Sequence, residues 1–349
     1  MRFRLAVLGS AVVAAVLVTV VIAQARLRDD DSDDEVRTAT ESTAASSTTA
    51  PTTTAPATDA SILVATTDGR LVVLDQSGAE VREAASATPG PTDSLTFTIA
   101  VAPGGDVAYV DRAGDTGCAG AVIERVDLAT GISEAVADGE APAISPDGSK
   151  LAYTRCATEG GGFAGVVVRD LESGEEQQWA LPVTGKNVVR FLSWAPDSQQ
   201  LAYVLSLSDN DFPLQEVRLV DTATGGGSLA DGWLVYSMPE GIPSFPVTYR
   251  GERDQLALAQ QGAGGGAELV AVDPATGAVV ETLLTVTADP LTFAWSGLAF
   301  DAAGDDALFV WMPLTATGAR AADDLYLWRA GDAAPTQIAA DVTAAAWLP

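Results

Sequence analysis

Histidine is absent from this 349-residue chain, cysteine occurs twice, and of 19 basic residues only Lys150 and Lys186 are lysine. The missing imidazole removes the commonest general base and metal ligand, and with it every Ser-His-Asp or Cys-His arrangement. Two thiols without a histidine fall short of a zinc shell, so no metal and no cofactor is expected. No Gly-x-Ser-x-Gly elbow is present either. Basic charge is scarce against 47 acids, and the resulting formal charge of −28 excludes nucleic acid as a partner, because phosphate binding needs a basic surface. After residue 23 no stretch sustains a helical period, so almost no helix is expected beyond the N-terminal run.

What is present is a repeat. Residues 144–155, Ile-Ser-Pro-Asp-Gly-Ser-Lys-Leu-Ala-Tyr-Thr-Arg, read as a strand, a tight turn and a returning strand. Pro146 fixes φ near −65°, Asp147 can accept a hydrogen bond from the backbone two residues on, and Gly148 tolerates positive φ. Residues 192–203 repeat the pattern with Pro196, Asp197 and a second Leu-Ala-Tyr, and looser copies begin at Val101, Tyr249 and Phe300.

A second element, Asp-x-x-Ser/Thr-Gly, runs Asp127 to Gly131, Asp170 to Gly174, Asp221 to Gly225 and Asp273 to Gly277, with a shortened form at Asp75 to Gly78 and a degenerate one at Trp328 to Gly331. It falls where a third strand would turn into a fourth. From Asp75 to Asp273 four steps span 198 residues, a period of about 50 that fits one propeller blade. The predicted fold is all-β, a six-bladed β-propeller over residues 61–349. The C-terminal Ala345-Ala346-Trp347-Leu348-Pro349 matches Leu192 to Pro196 and stops at the turn proline, while Ser61 to Ala65 resumes just past it. One blade is therefore expected to be shared, with residues 342–348 as its innermost strand and about 61–87 as the outer three, leaving no unpaired edge at the seam.

The Ser-Pro-Asp-Gly-x-x-Leu-Ala-Tyr signature resembles the WD-like repeat of TolB-type propellers. That resemblance implies a periplasmic six-bladed ring that binds protein partners around its central opening. TolB proteins also carry an N-terminal α/β domain, where this chain has an apolar run and a low-complexity segment.

That run, Leu5 to Ala23, holds nineteen uncharged residues, about 28 Å of helix, enough to span a bilayer core. Arg2 and Arg4 place its N-terminus inside the cell and the propeller outside. Residues 1–25 are then either a transmembrane anchor or a signal peptide cleaved after Ala25, since Ala23-Gln24-Ala25 has the small-x-small form. Residues 26–60, with six acids among positions 29–35 and Ser or Thr at 12 of positions 38–60, read as a disordered linker. Cys118 and Cys156 fall, by the repeat, in loops joining the second and third strands of neighbouring blades. In an exported protein they are expected to form a disulfide.

Two functions remain from different classes. The first is a binding or scaffold module, monomeric and without enzymatic activity, that recognises a protein, peptide or cell-wall glycan through loops at one face of the ring. Its candidate segments are 112–120, 156–164, 206–214 with the acidic Ser208 to Phe212, and 313–323. The second is a hydrolase or lyase with a carboxylate site in the central funnel. Against it, the acids that can be located, Asp75, Asp127, Asp147, Asp170, Asp197, Asp221 and Asp273, recur blade by blade at turns, as structural residues do. Trp194, Trp295 and Trp347 are expected to pack between blades. The readings part on whether non-repeated Asp, Glu, Arg or Tyr side chains converge at the channel mouth.

Overall fold

The turn residues cut the chain into short β-branched and apolar runs, and the runs pair in sequence order. The computed structural model describes residues 61–86, 98–114, 117–157, 162–181, 187–207, 214–238, 246–261, 267–286, 293–313 and 323–349. The expected anchor or signal segment, the linker and the Ser208 to Phe212 loop lie outside these residues. Among the described residues no helix is long and apolar enough to cross a membrane.

Six antiparallel sheets form the six blades. The first contains β1 (Ser61–Thr66), β2 (Leu71–Leu74) and β3 (Glu80–Ala85). The second runs from β4 (Ile99–Val101) through β5 (Val107–Gly114) and β6 (Gly117–Asp127) to β7 (Ser133–Asp138). The third holds β8 (Glu140–Ile144), β9 (Lys150–Cys156), β10 (Phe163–Asp170) and β11 (Glu176–Ala180). The fourth holds β12 (Val188–Trp194), β13 (Gln200–Leu207) and β14 (Leu214–Asp221), then, after the two-residue β15 (Gly227–Ser228), β16 (Trp233–Ser237). The fifth is β17 (Val247–Tyr249), β18 (Leu256–Gln261), β19 (Ala267–Val272) and β20 (Val279–Val286). The sixth is β21 (Phe293–Phe300), β22 (Ala307–Pro313), β23 (Asp324–Trp328) and β24 (Thr336–Ala339), and the final strand is β25 (Val342–Leu348).

The last strand joins the first blade. Its order is β25-β1-β2-β3, with Ile62 opposite Trp347 and Val64 opposite Ala345, so the shared blade read from the two chain ends is present. In each blade the first strand lies innermost and the fourth at the rim. Because a blade is covered on both faces by its neighbours, its middle strands are buried on both sides and read as continuous apolar runs. Leu151, Ala152 and Tyr153 of β9, and Leu201, Ala202 and Tyr203 of β13, are all fully buried. Each large side chain among them contributes roughly 1.5–3 kcal/mol of burial.

The third sheet has a fifth strand that the repeat does not foretell. β15 leaves the fourth blade and pairs parallel with β11, Trp179 opposite Gly227 and Ala180 opposite Ser228. The excursion needs glycine. A Cβ on Gly226, at φ 97°, would sit 2.6 Å from the Gln178 carbonyl oxygen. Tyr203 donates to the Leu229 carbonyl at 2.5 Å, and Arg218 donates to those of Ala230 and Gly232 at 2.8 and 2.6 Å, so the strap is held at its far end too. It covers an edge that would otherwise be open.

A chain truncated after Asp341 lacks the strand that closes the ring. Its melting temperature should fall by more than about 10 °C. Thermal unfolding followed by circular dichroism checks this, and a change of only about one degree would contradict closure by β25.

Candidate functional site at the channel mouth

The innermost strands enclose a central cavity of about 670 Å3. That volume lies within the range of small-molecule sites, ~300–1,000 Å3. All six blades contribute to its wall, which is mostly apolar side chains, backbone and a few hydroxyls. Across β4, β8, β12, β17, β21 and β25 only two residues carry a formal charge, Glu140 and Arg190. Both line the cavity.

The same backbone device sets both. Ala141 and Phe191, the residues that follow, each adopt a left-handed conformation with φ of 55°. The β8–β9 register skips between Glu140 opposite Thr154 and Ala143 opposite Ala152, and the β12–β13 register skips between Arg190 opposite Val204 and Ser193 opposite Ala202. Two residues on each inner strand therefore face one on its partner, a β-bulge that re-aims the neighbouring side chain. The residue opposite the bulge is Tyr153 in one blade and Tyr203 in the next, the tyrosines of the two strong Leu-Ala-Tyr repeats. Left-handed backbone at a non-glycine residue costs on the order of 1–2 kcal/mol, a cost borne here at the cavity wall.

Asp111 of β5 pins the first bulge. It is 2% exposed, one oxygen accepts the Thr98 N–H at 2.9 Å and the other accepts the Ala141 N–H at 3.1 Å, joining the second blade to the third. Its carboxylate is thus committed to backbone donors. Glu140, half-buried beside it, is pushed up to about 7 by burial first and by the negative charge of Asp111 second, with Arg190 pulling the other way. Among the described residues the mouth therefore holds one committed carboxylate, one carboxyl poised near neutrality, and one guanidinium. No group of three or more potential metal ligands occurs among the described residues.

The turn residues sit at the other end of the ring, since β8 runs from Glu140 toward Pro146. Asp147 accepts from the Ser145 hydroxyl at 2.6 Å and from the Ser149 N–H and hydroxyl at 3.0 and 2.8 Å. Partial burial raises its carboxyl, but these hydrogen bonds outweigh that and leave it below the usual range. Asp197 accepts the Gln199 N–H at 2.8 Å, and Gly148 takes the expected positive φ of 73°. Pro146 and Pro196 precede these aspartates in their turns. The Ser198 hydroxyl accepts the Asp147 N–H at 3.1 Å, linking the two turns directly.

In the second motif the carboxylates of Asp75, Asp127, Asp170, Asp221 and Asp273 each accept a backbone N–H within their own turn, at 2.7–3.1 Å. The Ser77 hydroxyl lowers Asp75, the Thr130 hydroxyl lowers Asp127 and the Ser173 N–H lowers Asp170. None of these acids reaches the mouth.

Cys118 and Cys156 are bonded, with their Cα atoms 5.3 Å apart. They occupy strand ends, the second residue of β6 and the last of β9, rather than the loops themselves, because those strands extend past the repeat boundary. The bridge ties the second and third blades at the end where Glu140 lies. Trp194 donates to the Ala143 carbonyl at 2.9 Å and Trp347 to the Ala299 carbonyl at 3.2 Å, each reaching the preceding blade. The side chain of Trp295 lies outside the described set.

Sequence reasoning missed Asp111, Glu140 and Arg190. A signal for the last two was available: both stand six positions before a turn proline, Pro146 and Pro196, with opposite charge at equivalent places in the repeat. Asp111 stands within β5 after the apolar Val107 to Val110 and carried no mark of its role.

No protein-family model matches the chain, and no curated protein matches it in sequence. Among solved structures, the chain is similar to TolB from Acinetobacter baumannii, with a TM-score of 0.54 and 16% identity over 83% of this chain and 66% of that one. This chain thus spans slightly less than two thirds of TolB. A chain of a nidogen/laminin complex superposes with a TM-score of 0.57 and 11% identity over 83% of this chain and 98% of that one. At these identities the likeness is one of fold.

Two outcomes follow. Glu140 ionises near 4.5 when unfolded and near 7 when folded, so the folded state holds an extra proton between those values. Its contribution is full below the lower value and is lost as pH rises through the upper one. Glu140→Gln should match the parent near about pH 4 and exceed it by about 1–3 kcal/mol near about pH 8.5. Denaturant titrations at both pH values check this, and an equal difference at both would contradict it. Replacing both cysteines by serine opens a bridge across 38 positions and should cost up to about 4 kcal/mol, read as a lower denaturation midpoint in oxidised protein.

Proposed function

We propose that this protein is an extracytoplasmic binding module, exported or held at the membrane by its N-terminal run, that receives a protein, peptide or glycan group at the Glu140 end of its channel. The observation that carries this reading is the mouth itself. The described inner strands are neutral except at two equivalent positions, and those two depart from neutrality with opposite signs. Repetition explains the turn aspartates and leaves Glu140 and Arg190 to be explained by what enters the cavity. The Cys118–Cys156 bridge supports an oxidising compartment.

Glu140, raised to about 7 beside Arg190, also supports a second reading in which it serves as a general base. The two-carboxylate form of that chemistry lacks a second free acid, since both oxygens of Asp111 already hold backbone N–H groups.

A photo-crosslinking residue in place of Thr98, which lines the mouth, should give adducts in envelope preparations, while the same residue at Thr130, in a turn at the other end, should give none. Adducts from position 130 alone, or from neither, would contradict binding at the mouth. Turnover of glycosides or lactones that is lost in Glu140→Gln would replace this reading with the second.

A further inference from the structure

Glu140 and Arg190 are uncommitted. Among the described residues neither side chain makes a hydrogen bond or ion pair, although Glu140 feels the charge of Arg190. Any gap between carboxylate and guanidinium therefore exceeds the 4.0 Å that would make them an ion pair. They occupy equivalent bulges on β8 and β12, strands that Trp194 joins by its hydrogen bond to Ala143, so they stand at one height on adjacent parts of the wall. Below them the cavity is lined by Leu192, Leu298 and the aromatic Trp194 and Trp347.

The geometry points to a ligand that carries an ammonium and a carboxylate on an apolar body, an α-amino acid or a short peptide with free ends, its ammonium on Glu140 and its carboxylate on Arg190. This rests on the reading of the mouth as a binding site. The physical reason is satisfaction of two charges at once. Glu140 is half-buried, where a charge is costly when unpaired, and Arg190 is exposed; charge-assisted hydrogen bonds from a ligand of both signs relieve the first and engage the second. A ligand of one sign relieves one site and desolvates the other, which is how a site built for polar partners rejects an analogue that lacks one. A neutral glycan offers hydroxyls to both but the opposite charge to neither. The bulges hold both side chains from the backbone, and the Asp111 clasp on Ala141 fixes the acidic one, so the spacing is set before the ligand arrives.

Calorimetric titration of the full chain with four probes tests this: L-leucine, N-acetyl-L-leucine, L-leucinamide and trileucine. L-leucine or trileucine should bind at least about 100-fold more tightly than either blocked probe, and which of the two does so distinguishes a free amino acid from a peptide. Glu140→Gln should erase the preference over N-acetyl-L-leucine and leave that over L-leucinamide. Arg190→Gln should do the reverse. Exchanging the pair, Glu140→Arg with Arg190→Glu, should retain the preference for both charges, which a merely structural role for either residue would not produce. Equal binding of blocked and unblocked probes, or no binding of any up to about 10 mM, overturns the proposal. Should the bound probe be recovered chemically altered, the binding reading fails while the charge pair stands; recovery unaltered with no charge preference sinks the pair alone.

Discussion

The antiparallel pairing of β25 with β1 is the constraint on which the rest depends. Six blades, each covered on two faces by neighbours, bury their apolar strands only if the ring is complete. Its seam is held by backbone hydrogen bonds running from Ser61 opposite Leu348 to Thr66 opposite Val342. The last strand is tied on both sides as well: Trp347 reaches the sixth blade through the Ala299 carbonyl, and Pro349 lies against Gly105 of the second. Closure in this form makes Val342–Leu348 and Ser61–Thr66 the two inner strands of one blade.

Closure also converts repetition into a device for placing side chains. Equivalent positions in consecutive blades face the channel at equivalent heights, so a wall can be written residue by residue by changing one letter per repeat. Most letters on this wall are neutral. The bulges at Ala141 and Phe191 adjust the aim of the residue before each, so that Glu140 and Arg190 bring opposite charges to equivalent places. Asp111 and the Cys118–Cys156 bridge sit at the same junction and join the same two blades, so that part of the mouth is braced by a charge-assisted clasp and a covalent one. The opposite end of the ring is built differently, from turns whose carboxylates are spent on their own backbones.

Much of the ring was legible in the sequence because its cause is local. Pro-Asp-Gly and Asp-x-x-Ser/Thr-Gly fix turns through φ restrictions and side-chain acceptors, and their spacing gives strand order, blade number and the shared seam. The disulfide was legible through the same alignment, displaced only to the strand ends. β15 was not, since its pairing with β11 depends on Gly226 meeting Gln178 across a blade boundary, a contact that no periodicity encodes. Asp111 stayed hidden for a similar reason: an acid at the end of an apolar run reads as surface, and only tertiary pairing brings it onto Ala141. Glu140 and Arg190 were visible as letters, yet reading for what repeats passes over what does not.

Native-state hydrogen exchange of the β25 amides that face β1 tests the central claim most directly. If this strand closes the ring, those amides in Val342 to Leu348 exchange only by global unfolding, with protection equal to that of the buried strands β9 and β13. Exchange at the rate of a frayed terminus, with β9 and β13 still protected, would show a ring that stands without its seam and would contradict the account.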